Sequence, residues 1–529
     1  MLLLLYFCII YLLESVNSAE YPVITTSFGS LRGVSYTAQD GTEAQIFKKI
    51  PFASPPIGEL RWKKPQPPLP WHGTLDSTFF GHACAQKMTI SYPDPITGFS
   101  EDCLHLNVFT NRKCKESNSS CAVLFIIHGG FGFFESTMRF PDETIVRNFV
   151  SQDIVVVSTA YRLGMFGAMA LGDENALPAN LALHDLLAAL RFTRSEISNF
   201  GGDKERITLL GHSAGSQYAL MLAFSPGISK PGEKRLMNGV IAMSGHSALE
   251  TEEFSVRRSH AVATKLGCEG TAREIIECLR LLDTNDVLHK FFKSTNLKKR
   301  TNHFQTPKCV TLAGELFPIL SVQETREGED PFRLMIGSTL YELSDWPSGM
   351  NAQISKIPRT VEVRNGKECY EKYLNDTVSG AFVTSYDETS QQIILTAHMY
   401  AKYQSEIGGE AYLYEYDYPV HANHTDDMFF VLGFHEFEKD ENEQWMSRVY
   451  PRYFANFING RRPAEDWYPV KPTLMNYYSV NRSITDDVYP HMQFGYQNNL
   501  VKYYDDIAKY DNALTLANYM ALNAPVQYK

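Results

Sequence analysis

The sequence predicts an α/β protein built on a large, mostly parallel central sheet flanked by helices. Three observations lead there. Short apolar, β-prone runs recur along the chain, of the length and character that strands buried on both faces require. Helix-periodic stretches alternate with them, as in doubly wound sheets. One run, Ile207–Leu210, passes directly into Gly211-His212-Ser213-Ala214-Gly215 and then into helix formers from Gln217 to Leu222. That order is strand, tight turn, helix, and in such an elbow the serine hydroxyl stands exposed above the sheet edge.

The elements can be justified in chain order. Val123–Ile127 is an unbroken β-prone run that empties into His128-Gly129-Gly130-Phe131, a glycine-rich loop. Ile154–Ser158 is a second buried strand of the same kind. Over Asn180–Ser195, Leu181, Leu183, Leu186, Leu187 and Leu190 recur at helical spacing, which marks a core helix. Ile207–Leu210 carries the elbow, and Val240–Met243, Leu334–Ile336 and Ala411–Tyr416 complete the strands. Ligands of open α/β sheets bind at the carboxyl ends of the strands, where Ser213 falls.

Bulk properties narrow the class. Hydrophobic residues make up 44% and aromatic residues 12% of the 529, and no low-complexity tract interrupts them, so the chain has ample core. Neither a repeat nor a linker divides residues 20–529, which read as one domain. The net charge of -11, without any compensating Lys/Arg block, argues against nucleic acid as a partner. Leu2–Leu13 is an apolar run followed by Ser15, Ser18 and Ala19, so residues 1–19 read as a secretory signal and secretion is expected. The run is short for a transmembrane span, and no other stretch reaches that length.

Cysteine and asparagine usage agrees with an oxidising compartment. Outside the signal the chain has Cys84, Cys103, Cys114, Cys121, Cys268, Cys278, Cys309 and Cys369, an even set. Cys84 with Cys103, Cys114 with Cys121 and Cys268 with Cys278 make natural local loops, although spacing alone leaves connectivity open. No C-x-x-C or paired-His spacing points to a metal. Sequons stand at Asn118, Asn375, Asn423 and Asn481; Asn118, Asn375 and Asn481 are glycosylation candidates. Asn423 is expected to stay bare, because its loop must pack tightly.

A serine hydroxyl needs a base to take its proton, an acid to hold that base, and donors for the oxyanion. In elbow hydrolases the chain order is Ser, then Asp or Glu, then His. Glu342 and Asp345 both lie in a loop after a strand, and either suits the acid. His421 and His424 share the loop after Ala411–Tyr416, and either suits the base. Oxyanion donors are expected from the Ala214 N–H and from the loop that holds Gly130 and Phe131.

Specific stretches resemble the type-B carboxylesterase family, the cholinesterase-like branch of the α/β-hydrolase fold. "FGGDKERITLLGHSAG" is similar to its nucleophile signature and "SEDCLHLNV" to its second signature, with His105 where an aromatic residue or Thr is usual. "GSLRGV", "PPIGELRWKKPQPP", "YRLGMFGAMALGD" and "PANLALHD" match further landmarks, so the likeness runs from about Val23 to the last helix. The resemblance implies an α/β-hydrolase fold and a cofactor-free serine carboxylesterase acting on a small-molecule ester. It implies Ser213 as nucleophile, Glu342 as acid, His424 as base, and Ser244 one layer behind the reacting residues. It also implies disulfides Cys84–Cys103 and Cys268–Cys278.

Departures from the pattern refine the expectation. His212 stands where cholinesterases have glutamate, and the stretch between Ala85 and Cys103 lacks the indole that would face choline, so neutral apolar esters are expected rather than choline esters. Phe133, Phe134, Trp346, Phe429 and Phe430 are candidates for an aromatic gorge. Phe131 stands where the family usually has a third consecutive glycine. A lipase-like enzyme of the same fold is one alternative; a non-catalytic adhesion or binding protein is another.

Overall fold

The computed structural model describes residues 21–86, 98–116, 120–225, 234–245, 252–295, 332–343, 372, 375–386 and 388–507. Eleven strands form the main sheet: β1 (Val34–Thr37), β2 (Glu43–Pro51), β3 (His105–Thr110), β4 (Cys121–Ile127), β5 (Ile154–Thr159), β6 (Gly202–His212), β7 (Gly239–Met243), β8 (Arg333–Thr339), β9 (Ala411–Tyr416), β10 (Tyr477–Val480) and β11 (His491–Gln493). Their spatial order is β11-β10-β9-β8-β7-β6-β4-β5-β3-β2-β1. The seven strands β4 to β10 are mutually parallel, while β1–β3 at one end and β11 at the other pair antiparallel with their neighbours.

Side-chain alternation explains why the central strands are apolar throughout. Val123, Phe125 and Ile127 of β4 enter the core on one face of the sheet, and Ala122, Leu124 and Ile126 enter the core on the other. β5 does the same with Val155 and Val157 against Ile154 and Val156. Two buried faces demand two apolar sets, which is why the sequence reads as continuous runs. All six strands expected from the sequence are present, most with slightly wider bounds. β6 is the most extended, starting at Gly202, because Asp203, Lys204 and Glu205 lie outside the apolar run that marked it.

The expected core helix spans Leu181–Glu196, with Asn180 in a left-handed conformation (φ 58°) just before it. Leu183, Leu186, Leu187 and Leu190 pack on the sheet. Asp185 of this helix, fully buried, accepts from Arg162 through Nε (2.8 Å), Nη2 (2.6 Å) and the backbone N–H (3.0 Å). That bidentate pair fixes the loop after β5 to the helix, and removing one partner would leave the other charge buried. β1–β3, β10 and β11 were not apparent in the sequence because they are short or carry polar residues among the apolar ones. β2, for example, includes Lys48, which reaches Asp142 Oδ2 at 2.7 Å.

Three disulfides close local loops: Cys84–Cys103, Cys114–Cys121 and Cys268–Cys278, with Cα–Cα distances of 4.9, 5.3 and 5.6 Å. The second ties the short helix Arg112–Glu116 to the first residue of β4. Cys309 and Cys369, the signal segment 1–19, Asn118, Asp345 and Trp346 lie outside the described residues. Among the described residues no helix is long and apolar enough to cross a membrane.

The strand order reverses at β4, since the chain leaves it toward β5 on one side and returns to β6 on the other. A crevice opens between the carboxyl ends of two strands at such a point. The β6 elbow is pressed against β4 there: a Cβ on Gly215 would lie 2.2 Å from the Ile127 carbonyl oxygen and 2.6 Å from that of His128. Gly215→Ala is therefore expected to destabilise the protein by about 3 kcal/mol or more. Gly460→Ala, with φ +78° but nothing within 4 Å of its added carbon, should cost only about 1 kcal/mol. Denaturant unfolding followed by circular dichroism checks the contrast; equal losses would refute it.

Candidate active site

Four successive strand ends supply the site. Beyond β6, β7, β8 and β9 the parallel ladder continues into the loops. Ser213 N–H donates to the Met243 carbonyl (3.0 Å), Ser244 N–H to Gly337 (2.9 Å), Tyr341 N–H to Ala422 (3.0 Å) and His424 N–H to Glu342 (2.8 Å). Each loop is thus held in register by its neighbour, and the side chains it carries are held with it.

Three of these residues adopt left-handed backbone angles although none is glycine: Ser213 at φ 55°, Ser244 at 48° and Glu342 at 44°. Such conformations cost roughly 1–3 kcal/mol each and persist where the surroundings over-determine them. Here they turn consecutive chains off the sheet edge at one level. Ser213 stands before the helix Ala214–Phe224, so its hydroxyl leaves the strand while the Ala214 N–H opens the helix. That N–H has no carbonyl within its own helix to bond.

The side chains form one connected line. Ser213 Oγ lies 2.9 Å from His424 Nε2, and His424 Nδ1 lies 2.5 Å from Glu342 Oε2. Glu342 is fully buried, and its other oxygen accepts from Ser244 Oγ (2.8 Å) and from the Thr339 N–H (2.7 Å). Those donors offset the cost of burying the carboxylate and leave Oε2 aimed at the imidazole. Because the carboxylate accepts at Nδ1, the proton of the neutral ring sits there and Nε2 faces the serine with its lone pair. Ser213 and His424 are themselves 4% and 3% exposed, so the line is screened from bulk water.

The other histidine of the loop does different work. His421 Nδ1 lies 2.5 Å from Glu443 Oε1, and its ring stacks on Phe437 with centroids 4.1 Å apart. Glu443 belongs to the capping box at the start of the helix Glu441–Ile458, so His421 fastens the loop to that helix. Of the two histidines left open by residue order, His424 is the one the fold brings to Ser213, and Glu342 stands behind it.

The loop after β4 forms the opposite wall. Gly130 has φ +87°, and a Cβ there would lie 2.1 Å from the Phe134 carbonyl oxygen, so only glycine fits. Phe131 follows at φ 55°, an uncommon conformation for a bulky residue. The loop is clamped from two sides. Tyr161 Oη donates to the His128 carbonyl (2.8 Å) while its ring stacks on His128. Gln86 accepts from the Glu135 N–H and donates to the Glu135 carbonyl, each at 2.9 Å. Glu135 pairs with Arg139 at 2.6 Å within the same wall.

A narrow cavity opens over Ser213 and His424. Phe131, Phe134, Phe140, Met428 and Phe434 provide its apolar lining, with His128, His212 and His435 between them. Burial drives the pKa of His128 down to about 4; burial and the neighbouring His212 and Arg139 drive that of His435 down to about 3. Of the aromatic candidates, Phe134 lines the cavity. Phe133, Phe429 and Phe430 do not. Phe133 packs on the cluster around Trp62, Phe430 is core, and Phe429 sits against Phe437 beneath Lys439. Phe140 and Phe434 were missed because neither adjoins a recognisable motif.

Residues 20–503 match the carboxylesterase family. The chain belongs to that family. It is 28% identical over 492 residues to the acylcarnitine hydrolase of Mus musculus, covering 86% of each chain. It is 34% identical over 272 residues to the juvenile hormone esterase of Tribolium castaneum, covering 50% of this chain and 44% of that one. Its fold is similar to the crystal structure of juvenile hormone esterase from Manduca sexta with OTFP covalently attached, at TM-score 0.76 and 23% identity, covering 93% of this chain and all of that one. The chain is an α/β-hydrolase and a carboxylic ester hydrolase.

Ser244→Ala removes a hydrogen-bond donor from the buried Glu342 Oε1. It should lower kcat by about tenfold with little change in KM. Steady-state kinetics on a chromogenic ester check this, and an unaltered kcat would show that Thr339 alone suffices.

Proposed function

We propose that this esterase hydrolyses neutral, apolar esters through an acyl-enzyme formed on Ser213, with His424 as general base and acid and Glu342 as its orienting carboxylate. The observation that carries this reading is the unbroken line Ser213 Oγ, His424 Nε2, His424 Nδ1, Glu342 Oε2, at 2.9 and 2.5 Å. His424 takes the hydroxyl proton at Nε2 as Oγ attacks the ester carbonyl, and then delivers that proton to the departing alcohol. Water repeats the cycle and frees the acid. Glu342 balances the imidazolium in each half.

The oxyanion falls to the N–H groups of Ala214, Gly130 and Phe131. The first opens a helix whose positive end favours developing negative charge. Phe131 keeps its place in the loop at a backbone angle glycine would adopt freely, which puts its ring against Phe134 at 5.9 Å between centroids and narrows the acyl side of the cavity. The lining of phenylalanine, methionine and uncharged imidazole favours an apolar substrate, and the Glu135 carboxylate in it is already paired with Arg139.

The remaining readings concern where the enzyme works. The three disulfides fit an oxidising compartment, and with the apolar Leu2–Leu13 run they support secretion after loss of residues 1–19, leaving one domain over 20–529. Asn375 is exposed and suits a glycan; Asn481 is half-buried with its Nδ2 donating to the Asp417 carbonyl, a poorer acceptor site. Asn423 is held by the Glu342 bridge and by Asp426, which argues for a bare side chain.

Ser213→Ala should reduce hydrolysis of p-nitrophenyl esters by several powers of ten, leaving roughly 10³ over water, without altering the circular dichroism spectrum. Turnover at the wild-type rate would refute the assignment. His424→Ala should match that loss, whereas His421→Gln should retain activity within about threefold; the reverse ranking would overturn the choice of base. Phe131→Gly should raise kcat/KM for octanoate relative to acetate esters, and an unchanged acyl profile would eliminate the steric role.

A further inference from the structure

His212 precedes the nucleophile and ends β6, so its side chain leaves the strand toward the cavity one residue before the elbow turns. Its Nε2 lies 2.6 Å from the backbone carbonyl oxygen of His424, and the two rings lie at 49° to each other with centroids 4.8 Å apart. A carbonyl oxygen can only accept, so His212 Nε2 carries a proton and donates it. The contact therefore fixes a tautomer at 212 and fastens the main chain of residue 424 from the side opposite Glu342. His424 is then held at three points: its N–H by the Glu342 carbonyl, its Nδ1 by the Glu342 carboxylate, and its carbonyl by His212.

We propose that His212 is a positioning residue for the catalytic base, its Nε2–H fixing the His424 main chain and its uncharged ring setting the pH range in which His424 works. The inference rests on His424 being the base of the reaction. His212 is 4% exposed, and burial together with the nearby His424 holds its pKa well below the usual histidine range, so its ring is uncharged at neutral pH.

The sign follows from charge. A carboxylate at position 212, the residue type the resemblance leads one to expect, would stand about 5 Å from the His424 ring. It would favour the imidazolium and raise the pH below which the base is lost. A neutral imidazole gives no such assistance, so His424 remains a free base to lower pH. The other titratable and charged groups around the two rings are Glu342 on the loop after β8, and Glu135 with Arg139 and His128 on the loop after β4. His435 faces them from beyond the helix Asp426–Leu432, and Asp427 lies on that helix.

Three substitutions separate the hydrogen bond from the charge. His212→Gln keeps a neutral donor at the position of Nε2 and should retain kcat/KM within about threefold, with the acidic limb of the pH profile where the wild type has it. His212→Met keeps the reach without the donor and should lose about tenfold in kcat/KM at the pH plateau. His212→Glu should move the acidic limb upward by about one pH unit. Melting temperatures establish that each variant is folded. Equal kcat/KM for the Gln and Met variants, or an acidic limb unmoved in His212→Glu, would overturn the proposal while leaving the triad standing. An active His424→Ala enzyme would instead remove the reading beneath it.

Discussion

The close approach of the β6 elbow to the carboxyl end of β4 is the constraint on which the rest of the site depends. Gly215 sits where any side chain would meet the carbonyls of Ile127 and His128. Those carbonyls begin the loop that carries Gly130 and Phe131, so the packing that admits the elbow also fixes the wall facing Ser213. Tyr161 then bonds the same His128 carbonyl and Gln86 brackets Glu135, so the wall is tied to two further parts of the chain. A displacement of an ångström at one contact would be shared by Ser213 and the Gly130–Phe131 wall alike, which is how tightly packed interiors behave.

A second layer of order comes from the sheet itself. The ladder does not stop where the strands do. Backbone hydrogen bonds continue through Ser213, Ser244, Tyr341 and His424, so groups from four separate strands inherit the regular spacing of a β-sheet. The left-handed angles at Ser213, Ser244 and Glu342 convert that spacing into a line of side chains across the sheet edge. Strain at these residues is offset by the bonds on either side of them, and relaxing one would misplace the others.

Much of this was legible in the sequence. Continuous apolar runs marked the six central strands because both their faces are buried, and the elbow announced itself through glycines on each side of a serine. Residue order alone left Glu342 beside Asp345 and His421 beside His424. The resemblance selects Glu342 and His424, and of the two histidines the fold brings His424 to Ser213. His421 turns to Glu443 instead, a partner 22 residues away in another helix that no local pattern reveals. The cavity wall was read less well. Phe429 and Phe430 follow His424 closely in sequence, but Phe430 enters the core and Phe429 turns the other way against Phe437, while Phe140 and Phe434 reach the cavity from positions that no local pattern marks. The edge strands escaped notice because a strand with one wet face carries polar residues that blur its pattern. His212 was visible as a departure, but its bond to the His424 main chain depends on the loop after β9 folding back over β6.

The line of side chains also joins parts of the polypeptide that are far apart along it: His424 lies 82 residues from Glu342 and 211 from Ser213. Contacts of such long range form late, because closing large loops is entropically costly before the intervening sheet exists to reward it. A partly folded chain can hold a well-made elbow and remain chemically inert. An elbow formed before β9 has joined β8 lacks the His424 end of that line, and the three side chains meet only where the parallel sheet from β6 to β9 is complete.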